Sequence, residues 1–176
     1  MKHADDSMTF ARILQILLTP RGRVNRKGLL VAVAALLAIE TIGASFIWIG
    51  GFGASSALIL ALKALFIWIA VAAICRRLHD MGLSSWWLGA GVALQFLWTV
   101  VLVSTLMVSL GVEQMAPDAD GYAMMLAGCS APIIAAALWL HISEGQATFN
   151  MYGPAPEGLG FSQPGERDPL SSIALG

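Results

Sequence analysis

The chain has 176 residues, 57% of them hydrophobic and 12% charged, with a mean hydropathy of +0.75 and a formal net charge of −1. Soluble domains carry roughly 25% charged residues, so composition argues against a soluble fold, and the lack of any block of like charges sets nucleic acid aside as a partner. Two cysteines, Cys75 and Cys129, make no disulfide framework.

Residues 1–28 form a charged lead. Within it Phe10, Ile13, Leu14 and Leu17 recur at helical spacing, Arg12 and Gln15 point elsewhere, and Ser7 is placed to cap the turn. This predicts a short amphipathic helix on the cytoplasmic leaflet. Pro20 and Gly22 end it before the first span. No cleaved leader is expected, because the first long apolar run follows this lead and is long enough to span.

Four apolar runs reach the length of about 20 residues that a spanning helix requires: 29–49, 54–75, 86–110 and 122–143. Strands of a membrane barrel would alternate polar and apolar residues, so helices are expected. Gly50-Gly51-Phe52-Gly53 reads as a tight hairpin that makes the first two helices antiparallel neighbours. Glu40 and Lys63 are equally far from the middle of that turn, which predicts equal depth and an ion pair. Each alone would cost about 3 kcal/mol at a helix centre. Gln95, a lone polar group in the third run, is expected to bond across helices. Ala57 and Ala61, then Ala127, Ala131 and Ala135, offer smooth packing faces, and Pro132 is expected to kink the fourth helix.

Lys2, Arg12, Arg21, Arg23, Arg26 and Lys27 precede the first run, and Arg76 and Arg77 separate the second from the third. The third connection carries Glu113, Asp118 and Asp120 and no basic residue. Both termini are therefore expected in the cytoplasm. The expected fold is an all-α integral membrane four-helix bundle, divided into the lead at 1–28, a transmembrane domain at 29–156 and a flexible tail at 157–176, which is rich in Gly, Pro and Ser.

This topology gathers polar residues on a cytoplasmic rim. Arg76-Arg77-Leu78-His79-Asp80 ends the second run, and Trp86 and Trp87 open the third at the level of an aromatic belt. Arg23 and Arg26 precede the first run, while His141 and Glu144 end the fourth and Asn150 and Tyr152 follow it.

At these residues the chain resembles a family of small bacterial inner-membrane proteins, domain-of-unknown-function family 805. Three motifs carry the resemblance. Gly22, Arg23 and Arg26 match a Gly-Arg-x-x-Arg lead-in. Arg76 to Asp80, with Gly82, Ser84, Trp86 and Trp87, match the central motif. Gly145, Asn150, Tyr152, Gly153, Pro154 and Pro156 match the closing one. Leu29-Leu30, Ser85, Thr148 and Ala155 depart from the pattern. The resemblance implies a multi-helix inner-membrane protein and no established activity.

The rim admits several functions. Arg76 and Arg77 serve as topology signals or as a phosphate site for an anionic lipid headgroup. His79 and Asp80 invite general-base chemistry in a lipid-modifying enzyme, but neighbours in sequence rarely form the base–orienter pair, and Ser84 is the only nucleophile close by. Asp80 is instead expected to cap a turn or to pair with a lead-in arginine. Asn150 and Tyr152, with Gly153-Pro154, are expected to form a rigid turn that locks the end of the fourth helix. A metal set of His79, His141, Asp80 and Glu144 lacks ligand spacing. The sequence reading is therefore a non-enzymatic membrane protein without cofactor or metal, whose rim binds anionic lipid or a protein partner. The rivals are a small transporter or transporter subunit using Glu40 and Lys63, and a lipid-modifying enzyme using His79 and Asp80.

Overall fold

The computed structural model describes residues 18–54 and 56–156, with 46–54 and 56 described by backbone alone. The amphipathic helix and Ser7 cap expected in the lead, and the tail at 157–176, lie outside the described residues.

Among the described residues four long helices follow in order: α1 (Arg26–Ala54), α2 (Ser56–Asp80), α3 (Trp86–Leu110) and α4 (Asp120–Ile142), with a 3-10 turn (Val112–Met115) between the last two. The fold is all-α, and each helix contains a segment long and apolar enough to cross a membrane. Large apolar side chains such as Leu60, Phe96 and Val108 stand exposed along them. That inverted pattern is what hydrocarbon surroundings permit and water does not.

The chain divides into two compact units. The first takes in α1, α2 and the segment from Glu144 onward, and the second spans Ser85–Ser143.

In the first unit, α1 starts three residues before the apolar run, because Asn25 caps it. The Asn25 Oδ1 accepts the Gly28 backbone N–H at 3.0 Å, and the Asn25 carbonyl accepts Leu29 N–H at 2.9 Å. The turn expected at Gly50–Gly53 is not where the chain breaks. α1 runs through these glycines to Ala54. A glycine inside a helix costs only about 1 kcal/mol relative to alanine, which does not by itself end one. α2 likewise outlasts its apolar run, so that Arg76 to Asp80 form its last turn and a half. It ends in a Schellman motif. Gly82, at φ +77°, donates to His79 O at 3.0 Å, and Leu83 N donates to Leu78 O at 2.8 Å. Leu18 meets this hairpin through its carbonyl, which accepts the Trp68 indole N–H at 2.8 Å.

In the second unit, α3 and α4 pack at Gly128, where an added Cβ would lie 2.6 Å from Leu102 Cδ2. Gln95 donates to Cys129 O at 2.9 Å, the interhelical bond its isolation in an apolar run predicts. Ala127, Ala131 and Ala135 do not form the packing face; all three are exposed, while Gly128, Cys129 and Pro132 are half-buried. α4 continues unbroken through Pro132. Proline has no N–H to give to the residue four back, and the Gly128 carbonyl accepts the Trp98 indole N–H at 2.9 Å instead. Cys75 and Cys129 are both free thiols.

Candidate functional site

The three motif segments meet within the first unit, at the C-terminal end of α2. Arg23 is the centre. It is fully buried, and all five of its N–H donors are engaged. Nε and Nη2 bond Asp80 Oδ1 at 3.2 and 3.0 Å. Nη1 bonds Thr148 O at 2.7 Å and Gly153 O at 3.2 Å. The second proton of Nη2 goes to Gln146 O. Next to it, Val24 N–H donates to Arg76 O at 3.2 Å and ties the lead-in to α2.

Asp80 is 2% exposed and takes its second arginine through Oδ2, from Arg77 Nη1 at 2.5 Å. Two guanidinium groups thus share one carboxylate, and the surplus positive charge meets backbone carbonyls. Three of these come from residues 146–153, and the carbonyl end of α2 adds a favourable dipole. Gln146 N–H returns a bond to Asp80 O at 2.8 Å. Gly145 must lack a side chain here, because a Cβ would collide with the Asp80 carboxylate.

His79 turns to other partners. Its Nδ1 lies 3.1 Å from Gly22 O, and its ring stacks on Tyr152 with centroids 3.9 Å apart and planes within 6°. A ring nitrogen facing a carbonyl carries a proton, so Nδ1 donates. Asn150 closes the turn beneath. Its Nδ2 donates to His79 O at 3.0 Å and Gln146 Oε1 at 2.8 Å, while its Oδ1 accepts Tyr152 N–H at 2.9 Å. Asn150 and Gly153 exchange backbone bonds across the turn, with Gly153 at φ +124°. The expected turn exists, but its bonds grip the end of α2, whereas the sequence alone predicts that it locks the end of the fourth helix.

The sequence-designated residues are distributed unevenly. Arg23, Arg77, His79, Asp80, Asn150 and Tyr152 form this one cluster, and Arg76 is buried beside Arg77 on α2. Arg26 stands outside it, 46% exposed, 3.6 Å from Glu144. Trp86 and Trp87 open α3 in the second unit, both strongly exposed. Among the described residues, no three His, Cys, Asp or Glu side chains gather closely enough to hold a metal ion. Glu40 and Lys63 pair away from the cluster, with Lys63 Nζ 2.6 Å from both carboxylate oxygens. The carbonyls of Gln146, Thr148 and Gly153 carry no residue signature and were invisible in the sequence.

The profile of a family described as "Protein of unknown function (DUF805)" matches residues 17–154. The chain belongs to this family. No curated protein and no solved structure matches it. The matched range contains all four helices and nearly all of the three motifs. In this DUF805 member Arg23, Arg77, His79, Asp80, Asn150 and Tyr152 bring parts of all three motifs into one clamp, while Arg26, Trp86 and Trp87 stand outside it.

Proposed function

We propose that this protein is a non-enzymatic, multi-pass protein of the bacterial inner membrane, with both termini in the cytoplasm, whose rim holds anionic lipid headgroups. One observation carries the reading: the Arg23–Asp80–Arg77 cluster is closed on itself. Arg23 and Arg77 are fully buried, so the motif's strongest anion-binding forks serve the scaffold. Among the described residues of the rim, the basic side chains at the surface are Arg21, ahead of α1, and Arg26 and Lys27, in its first turn. There a helix N-terminus adds positive potential, and basic side chains near an anionic leaflet contribute about 1 kcal/mol each.

Catalysis is disfavoured by the same geometry. His79 and Asp80 turn to different partners, and both are less than a tenth exposed. The transport reading keeps only the Glu40–Lys63 pair, whose two carboxylate–ammonium bonds already satisfy a structural role.

Native mass spectrometry of the gently extracted chain tests the proposal. Phosphatidylglycerol or cardiolipin should be retained by the wild type and reduced about tenfold or more in Arg21→Gln/Arg26→Gln/Lys27→Gln, from three contacts of about 1 kcal/mol each at most. Equal retention with unchanged melting would sink it. A protein carried along in place of lipid, and lost in the triple variant, would point to a protein partner instead.

A further inference from the structure

The Glu40–Lys63 pair does not close on itself as the rim cluster does. Glu40 stands at the midpoint of α1, and Lys63 lies two turns into α2. Their side chains remain 37% and 52% exposed, in a groove lined by Ile39, Gly43, Ala44, Ile59 and Leu62. The ammonium has three protons and uses two on this carboxylate; each carboxylate oxygen keeps a further lone pair. The Phe66 ring stands 6.0 Å from Nζ and offers a weak cation–π contact; hydrocarbon offers the remaining valences nothing, and leaving them there is costly.

Whatever covers the groove must bring a donor and an acceptor to the same depth. α3 carries no Asp, Glu, Lys or Arg, and the only one in α4 is Asp120, its first residue. Gln95, the amide of α3, already donates to Thr99 and Cys129. Another copy of the same pair does fit. An acid and a base side by side are self-complementary under a two-fold axis: each Lys63 extends its third proton to the other copy's Glu40, and a four-membered ring of charges results. Gly43 and Ala44, one turn beyond Glu40, leave room for the backbones to approach. We propose that two copies of this chain dock through the α1–α2 groove, with Glu40 and Lys63 of each completing the ion pair of the other. This is independent of the lipid reading, which concerns the start of α1.

The full chain carrying either of two affinity tags, reconstituted in vesicles of phosphatidylethanolamine and phosphatidylglycerol, tests it by cross-capture on dilution into lipid. The wild type should capture itself. Glu40→Lys gives a copy with two bases, and Lys63→Glu a copy with two acids. Each alone should lose self-capture by at least about tenfold, since like charges then face each other across the contact. Mixed together, the two should capture each other nearly as well as the wild type captures itself. A wild type that stays monomeric overturns the proposal, as does a Glu40→Lys copy that still captures itself, or a mixture without rescue. Should the charge variants fail to fold, Glu40→Gln/Lys63→Gln decides. Self-capture weakened about tenfold supports the ring, and self-capture equal to wild type overturns it.

Discussion

Arg23 occupies a position where a charge survives only if every donor finds an acceptor. Truncating one partner of a buried ion pair costs about 3–5 kcal/mol, mostly from the charge left behind. Lysine does not substitute here. Its three donors spread from one point, whereas the five of Arg23 reach in a fixed plane to Asp80, Gln146, Thr148 and Gly153. Arg23→Lys should therefore lower stability by about 2–4 kcal/mol, read as a fall in melting temperature in detergent. Arg26→Lys, at an exposed pair, should change it by less than about 0.5 kcal/mol. The pairing of Asp80 with a lead-in arginine was legible, because a carboxylate in a chain so poor in charge needs a cation. The choice of Arg23 over Arg26 was not legible. It depends on main-chain oxygens from residues 146–153, which any sequence supplies and only the folded turn aims.

At the scale of the element, hydropathy locates helices well and their ends poorly. The four spans stand out because apolar length alone defines them. The ends of α1 and α2 do not, because Arg76 to Asp80 and Gly50 to Gly53 stay helical where an apolar count stops. Pro132 shows the same principle from inside a helix. It strips Gly128 O of its intrahelical donor, and Trp98 from α3 supplies one at 2.9 Å. The compensation predicts coupling between two residues far apart in sequence. Trp98→Phe should cost about 1 kcal/mol with Pro132 in place, close to what interhelical bonds in membrane proteins are worth. In a Pro132→Ala background the restored N–H at 132 can serve Gly128 O itself, so the hydrogen-bond part of that cost should vanish. A double-mutant cycle on melting in detergent reads the difference; additive effects would show that the indole bond does not replace the helical one.

For the whole molecule, the expected orientation rests on the distribution of charge, because apolar length alone does not distinguish the two sides of a membrane. Arg21 and Arg23 precede α1, Arg26 and Lys27 open it, and the α2–α3 connection follows Arg76 and Arg77. The 3-10 turn between α3 and α4 has Glu113 and Asp118 near it and no base. Arg23, Arg76 and Arg77 are buried in the folded protein, yet orientation is set during insertion, when these side chains are still solvated and count as positive charge. On the proposed topology the clamp would then hold what insertion chose, since moving Arg23 across a bilayer after folding would require breaking all five of its bonds. A fluorescent protein that matures only in the cytoplasm should glow when fused to the C-terminus. Alkaline phosphatase, active only outside, should be active when inserted after Ala116 and silent at the C-terminus. Arg23→Ala weakens the clamp but leaves the other bases in place, so it should destabilise the protein and keep this reporter pattern. A reversed pattern in that variant would mean that the folded ion cluster, and not the count of bases, sets the topology.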